Sequence, residues 1–248
     1  MDTLFGHTRS VLRPHYALIT PAGQVSAPLP NWPGAICTLV ISPALGARFS
    51  QIHVTLGPDA TGAGHLSDKE LLVFVRQGAI DAVIETRQTR LETGGYAYIP
   101  PGATYRLSLG QGVESADLLV FQRAYIPLAG HNPPAPILGH EQDVAGAPFM
   151  GDEAALLKNL LPDILAFDLA VNIFTFQPGA TLPIVETHVM EHGLLMLQGQ
   201  GIYRLGDDWH PVQAGDVIWM APFCPQWFVA TGKTPARYIY YKDVNREP

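Results

Sequence analysis

The chain has 248 residues, 47% hydrophobic and 15% charged, with a formal net charge of −7. That composition excludes a disordered chain and supports a sizeable buried core. The acidic balance argues against a nucleic-acid partner, which requires a basic face.

Residues 1–29 lack the basic stretch followed by a long apolar run that marks a secretory signal. Apolar runs elsewhere stop far short of the ~20 residues that cross a bilayer, so no membrane partner is expected. The two cysteines, Cys37 and Cys224, are too few for a disulfide framework and have no metal-binding spacing. A reducing, cytoplasmic setting with two small buried thiols is the expectation.

Residues 1–34 read as an N-terminal arm. Beyond them, short runs of β-branched, aromatic and leucine residues alternate with glycine and proline, as in Gln51–Leu56, Leu71–Val75, Asn172–Phe176 and Arg237–Tyr241. Such spacing predicts an all-β sandwich or barrel. The segment Asp152–Leu161, with its acidic start and its Ala, Leu and Lys content, predicts a short helix stopped before Pro162.

An internal repeat organises these runs. At an offset of 121 positions Gly78 falls on Gly199, Gly94 on Gly215 and Pro101 on Pro222. Leu71–Gly78 matches His192–Gly199 in apolar pattern, and Gly94–Pro101 matches Gly215–Pro222. The order strand, Gly, strand, Gly-Asp, strand, Pro resembles the cupin family, whose small β-barrels often occur in tandem. The resemblance divides the chain into an N-terminal unit over 35–125, a linker with the short helix over 126–166, and a C-terminal unit over 167–248.

In the second unit Glu186-Thr-His188-Val-Met-Glu-His192 gathers possible metal ligands. In an extended chain Glu186, His188 and His192 share one face and Glu191 takes the other. Gln226 follows 40 residues later, where a cupin places its last ligand. The equivalents of these four in the first unit are His65, Ser67, Leu71 and Tyr105, so that unit is expected to bind no metal. A buried polar network is the bland alternative for the second cluster. One carboxylate, one amide oxygen and two imidazoles form a mixed donor set without thiolate, suited to Mn²⁺ or Fe²⁺ rather than structural zinc. The residues alone do not separate manganese from iron.

Glu186–Gly193, Gln198–Tyr203 and Tyr238–Asp243 closely resemble the (S)-ureidoglycine aminohydrolases. So do Tyr16–Pro21, Tyr96–Gly102, Arg123–Pro127 and Ala166–Asp168. The resemblance implies a bicupin with one manganese site in its C-terminal unit, held by Glu186, His188, His192 and Gln226. It implies release of ammonia from (S)-ureidoglycine to give (S)-ureidoglycolate, a step of allantoin (purine) catabolism. Lys242, Glu186 and Gln226 would then be catalytic, and Tyr203, Tyr238, Lys242 and Gln226 would contact substrate. Tyr238, Tyr240 and Lys242 alternate on one strand face, and Tyr240 is expected to pack or hydrogen-bond within the barrel. Taken alone, Lys242 reads as a strand-end lysine reaching solvent, and Cys224 either lines the pocket or fills the core. Two other classes stay open: an Fe²⁺-dependent bicupin oxygenase and a non-enzymatic metabolite-binding cupin. Edge strands make a homo-oligomer the expected assembly.

Overall fold

The computed structural model describes residues 7–246; the outermost residues of the expected arm and C-terminal unit, 1–6 and 247–248, lie outside them. The described chain is built from antiparallel strands in four sheets. In the first half a six-stranded sheet faces a four-stranded one across a core containing Ile52, Val54, Leu71, Val73, Ile80, Ala82 and Leu107. In the second half an eight-stranded sheet faces a three-stranded one across Phe174, Phe176, Leu194, Met196, Leu205 and Phe228. Each half is a two-sheet jelly-roll sandwich, as the alternating runs require.

A third core joins the halves. Strand residues alternate between faces, so on Ala236–Asp243 the side chains of Tyr238 and Tyr240 enter the second sandwich. Ile239 and Tyr241 point instead to the other half, where they meet Phe49, Leu72, Phe74, Leu119 and Phe121. Phe49 stacks on Tyr241 with ring centroids 4.1 Å apart. Each large side chain withdrawn from water there contributes about 1.5–3 kcal/mol, which makes this contact a shared core rather than a hinge.

The 121-residue repeat holds in three dimensions. The strands Ala79–Ile84 and Arg87–Glu92 reappear as Gln200–Leu205 and Asp208–Gln213. Gly78 and Gly199 both have positive φ, 81° and 74°, and an added Cβ would collide with the carbonyls of Ser115 and Pro235 respectively. Both turns therefore require glycine.

The repeat extends further out than its glycines suggest. Tyr16–Ile19, in the N-terminal arm, pairs with Val217–Met220 of the second half. Its equivalent, Ile137–His140, pairs with Gly95–Ile99 of the first half. Each half thus lends its leading strand to the other.

The helix expected at Asp152–Leu161 is absent. Asp152–Asn159 is a strand, paired with Ala147–Phe149 on one side and Leu169–Phe176 on the other. Helix helps only a segment that has no sheet edge to complete, and here pairing overrides the Ala/Leu/Lys propensity. At the repeat offset, Ile36–Ile41 falls partly on this strand, so the repeat carried the signal that propensity obscured. Among the described residues helix is confined to single 3-10 turns.

Candidate metal centre

Each candidate donor is placed by a different local device. Glu186 lies outside the named strands but is pinned to Gln226 by reciprocal backbone hydrogen bonds of 2.9 Å. His188 is held where its carbonyl accepts from Phe223 N–H at 2.7 Å. His192 opens the strand His192–Gln198, opposite Met220 and Lys242 on its two neighbours. Gln226 opens the strand Gln226–Thr231.

Their side chains converge. His188 Nε2 and His192 Nε2 stand 3.1 Å apart, and the Gln226 amide nitrogen is 2.9 Å from His188 Nε2. Glu186 Oε2 lies 3.9 Å from the same nitrogen. His188 Nδ1 lies 3.2 Å from the Met190 carbonyl, and His192 Nδ1 lies 3.3 Å from the Tyr241 carbonyl. A carbonyl can only accept, so each Nδ1 carries the proton and each Nε2 presents a lone pair.

Burial drives the imidazolium of His192 down to about 3 and lowers that of His188 as well. Two lone pairs facing each other repel, and a cation between such nitrogens turns the repulsion into ligation. Anchoring of the far ring nitrogen by a carbonyl is the usual support for a metal-binding histidine.

Among the described residues no three His, Cys, Asp or Glu side chains stand preassembled at metal-holding geometry. The set needs the amide of Gln226, whose oxygen and nitrogen exchange places by a half-turn of the terminal torsion. With that oxygen, the donors fit a divalent cation of the manganese or iron kind.

These groups line a cavity of about 130 Å³ that also receives Tyr203, Tyr238, Tyr240 and Lys242. Tyr203 O–H donates to Gln226 Oε1 at 3.5 Å. Burial raises the phenol pKa values of Tyr203, Tyr238 and Tyr240, so all three keep their protons at neutral pH. Asn172 Nδ2 donates to the Tyr240 hydroxyl at 3.2 Å, and the Tyr240 ring stands edge-on to His192.

Lys242 reaches the same cavity, with no carboxylate within ion-pair distance among the described residues. Phe149, Leu157, Phe174, Met190, Leu194 and Met220 complete an apolar wall.

Glu191 points away from the cavity, as expected, although Glu186–Glu191 is not the continuous strand on which that expectation rested: the chain bends at Val189 and the strand begins at His192. It is 1% exposed and accepts from Arg48 N–H and from Trp219 Nε1. Cys224 is buried outside the cavity lining, and both cysteines are free. Sequence reasoning missed Asn172, although a lone amide at an inward position of an apolar strand was a signal for it. It also missed the wall contributed by Phe149 and Leu157, because Leu157 was read as helix and Phe149 as linker.

Comparisons with known proteins agree with this architecture. The cupin domain model matches residues 172–241, the half that holds the convergent donors. The chain is 43% identical to an (S)-ureidoglycine aminohydrolase of Arabidopsis thaliana, over all of this chain and 82% of that protein. Against the (S)-ureidoglycine aminohydrolase of Escherichia coli it is 34% identical, covering 99% of this chain and 95% of the other. A crystal structure of a putative glyoxylate-induced protein from Pseudomonas aeruginosa superposes with a TM-score of 0.90 at 31% identity, covering 100% and 94% of the two chains. On identity sustained over its full length, the chain belongs to the (S)-ureidoglycine aminohydrolase family.

Proposed function

We propose that the chain hydrolyses (S)-ureidoglycine to (S)-ureidoglycolate and ammonia, as a step of allantoin degradation, at a divalent cation held by Glu186, His188, His192 and Gln226. One observation carries this reading: two carbonyl-anchored imidazoles meet at 3.1 Å in a cavity that also presents an unpaired ammonium. Manganese is the cation we assign, with iron as the other metal that the donor set suits. A cation bound there supplies Lewis acidity and lowers the pKa of coordinated water.

The remaining work belongs to side chains. The reaction breaks a carbon–nitrogen bond and forms a carbon–oxygen bond, with one proton moving from water to the departing amine. Among the described residues Lys242 is the only Lys or Arg side chain lining the cavity. It pairs with the substrate carboxylate and can relay that proton. Tyr203 and Tyr238, kept protonated by burial, donate hydrogen bonds to the ureido carbonyl. Glu186 and Gln226 would hold the cation beside the reacting carbon. The apolar wall limits bulk water and fixes which face of the carbon is attacked. We place the enzyme in the cytoplasm as a homo-oligomer; the edge strands Val11–Arg13 and Ala147–Phe149 offer backbone for association.

The test is ammonia release from freshly generated (S)-ureidoglycine, with and without Mn²⁺, in the wild type and in His188→Ala. Mn²⁺-dependent release above spontaneous decay, lost in His188→Ala, is expected. Absence of any metal-dependent acceleration overturns the proposal, and strict oxygen consumption with iron would replace it by an oxygenase.

A further inference from the structure

The geometry points to Arg48 as a positioning residue for the proposed metal site, acting from the N-terminal half through Glu191 and Asp243; the inference rests on the metal-dependent reading above. Arg48 lies between the 3-10 turn Pro43–Leu45 and the strand Ser50–Leu56. Its backbone N–H donates to both carboxylate oxygens of Glu191, at 2.9 and 3.2 Å. Its guanidinium comes within 3.4 Å of Glu191 Oε1 and donates to Asp243 Oδ2 at 2.6 Å. The other oxygen of Asp243 accepts from Glu191 N–H at 2.7 Å.

Glu191 immediately precedes His192, and Asp243 immediately follows Lys242. One arginine therefore closes a ring that ties the start of the ligand strand to the end of the lysine strand. His192 and Lys242 face each other across that pairing and project into the cavity. Removing the guanidinium leaves Glu191 and Asp243 side by side without a cation between them. Like-charge repulsion then opens the ring and frees residues 188–191 to move His188 and His192 apart. Glu191 keeps its bonds from the Arg48 amide and Trp219, and the Arg48 side chain is 38% exposed, so the fold survives the change.

Full-length wild type, Arg48→Ala, Arg48→Lys and Arg90→Ala are titrated with Mn²⁺, free ion being read by electron paramagnetic resonance. Among the described residues the Arg90 side chain pairs with Glu92 and Gln111 on the surface, and it serves as the control. Outer partners of metal ligands typically change affinity by about ten- to a hundredfold. Arg48 acts one step further out, so Arg48→Ala is expected to weaken Mn²⁺ binding about tenfold. Arg48→Lys, which keeps the charge but not the fork, recovers part of that loss, and Arg90→Ala matches the wild type. Wild-type affinity in Arg48→Ala, or no recovery in Arg48→Lys, overturns the inference while leaving the metal site standing. A wild type that binds Mn²⁺ no better than His188→Ala overturns the metal reading and this inference together.

Discussion

In the C-terminal half the four candidate donor positions carry Glu186, His188, His192 and Gln226, while the matching positions of the N-terminal half carry His65, Ser67, Leu71 and Tyr105. His65 and Ser67 are exposed, whereas Leu71 and Tyr105 are buried in the first core. There Trp32 lies so close over Gly62 that any side chain at that position would collide with its ring. The first sandwich is filled with hydrocarbon where the second keeps a polar cavity. One frame thus carries two fillings, and the difference rests on a few inward positions rather than on the sheets.

The sharpest way to break that comparison is to truncate the same position in both halves. Leu71→Ala is expected to cost about 2–5 kcal/mol, as cavity-forming leucine truncations do, without changing Mn²⁺ affinity. His192→Ala should abolish metal binding yet cost the metal-free fold less than half as much. Its Nε2 faces another lone pair, and the space left joins a polar cavity that water can enter. Urea unfolding in excess chelator measures both costs, and equal values would show that His192 is a packing residue.

A smaller effect is expected at Lys242. Replacing it by Met keeps the length but removes the charge. A hydrogen bond to a charged group contributes about 1.5–3 kcal/mol, so KM should rise about ten- to a hundredfold. Mn²⁺ affinity should stay within about twofold. Steady-state ammonia release decides; a fall in kcat at constant KM would mean that Lys242 serves proton transfer alone and does not hold the carboxylate.

Much of this contrast was legible in the sequence, because offset and alternation are both exact countings along a chain. The parity of Tyr238, Tyr240 and Lys242 followed from period two. The misread segment shows the limit of propensity. Asp152–Asn159 contains good helix formers, and only its neighbours Leu169–Phe176 and Ala147–Phe149 make it a strand. The crossing of Tyr16–Ile19 onto the opposite half was hidden for a related reason, since no local pattern states which edge a strand completes. Arg48 was invisible as well. It stands 143 residues from Glu191, and its bond to that residue exists only once the two halves are packed.

The last prediction concerns Glu70, which occupies the repeat position of Glu191. The pair shows how closely the halves mirror each other at their interface. Tyr98 O–H donates to Glu70 Oε2 at 2.7 Å, and Trp219, at the equivalent position, donates to Glu191 Oε2. The surroundings then diverge, for Glu191 meets the Arg48 amide whereas Glu70 meets Asp168. Burial, and then the neighbouring Asp168, raise the Glu70 carboxyl pKa well above its ordinary value, while Arg123 pulls weakly the other way from 3.9 Å. The folded state therefore holds this proton more tightly than the unfolded chain does. The resulting stabilisation is complete below the unfolded pKa of about 4.3 and is lost as pH rises through the folded value. Glu70→Gln keeps the shape and can still accept from Tyr98 but does not titrate. Relative to wild type, the variant should gain stability between pH 5 and pH 8, measured by urea unfolding at the two pH values. A gap between the two proteins that stays constant with pH would mean that Glu70 is ionised against Arg123.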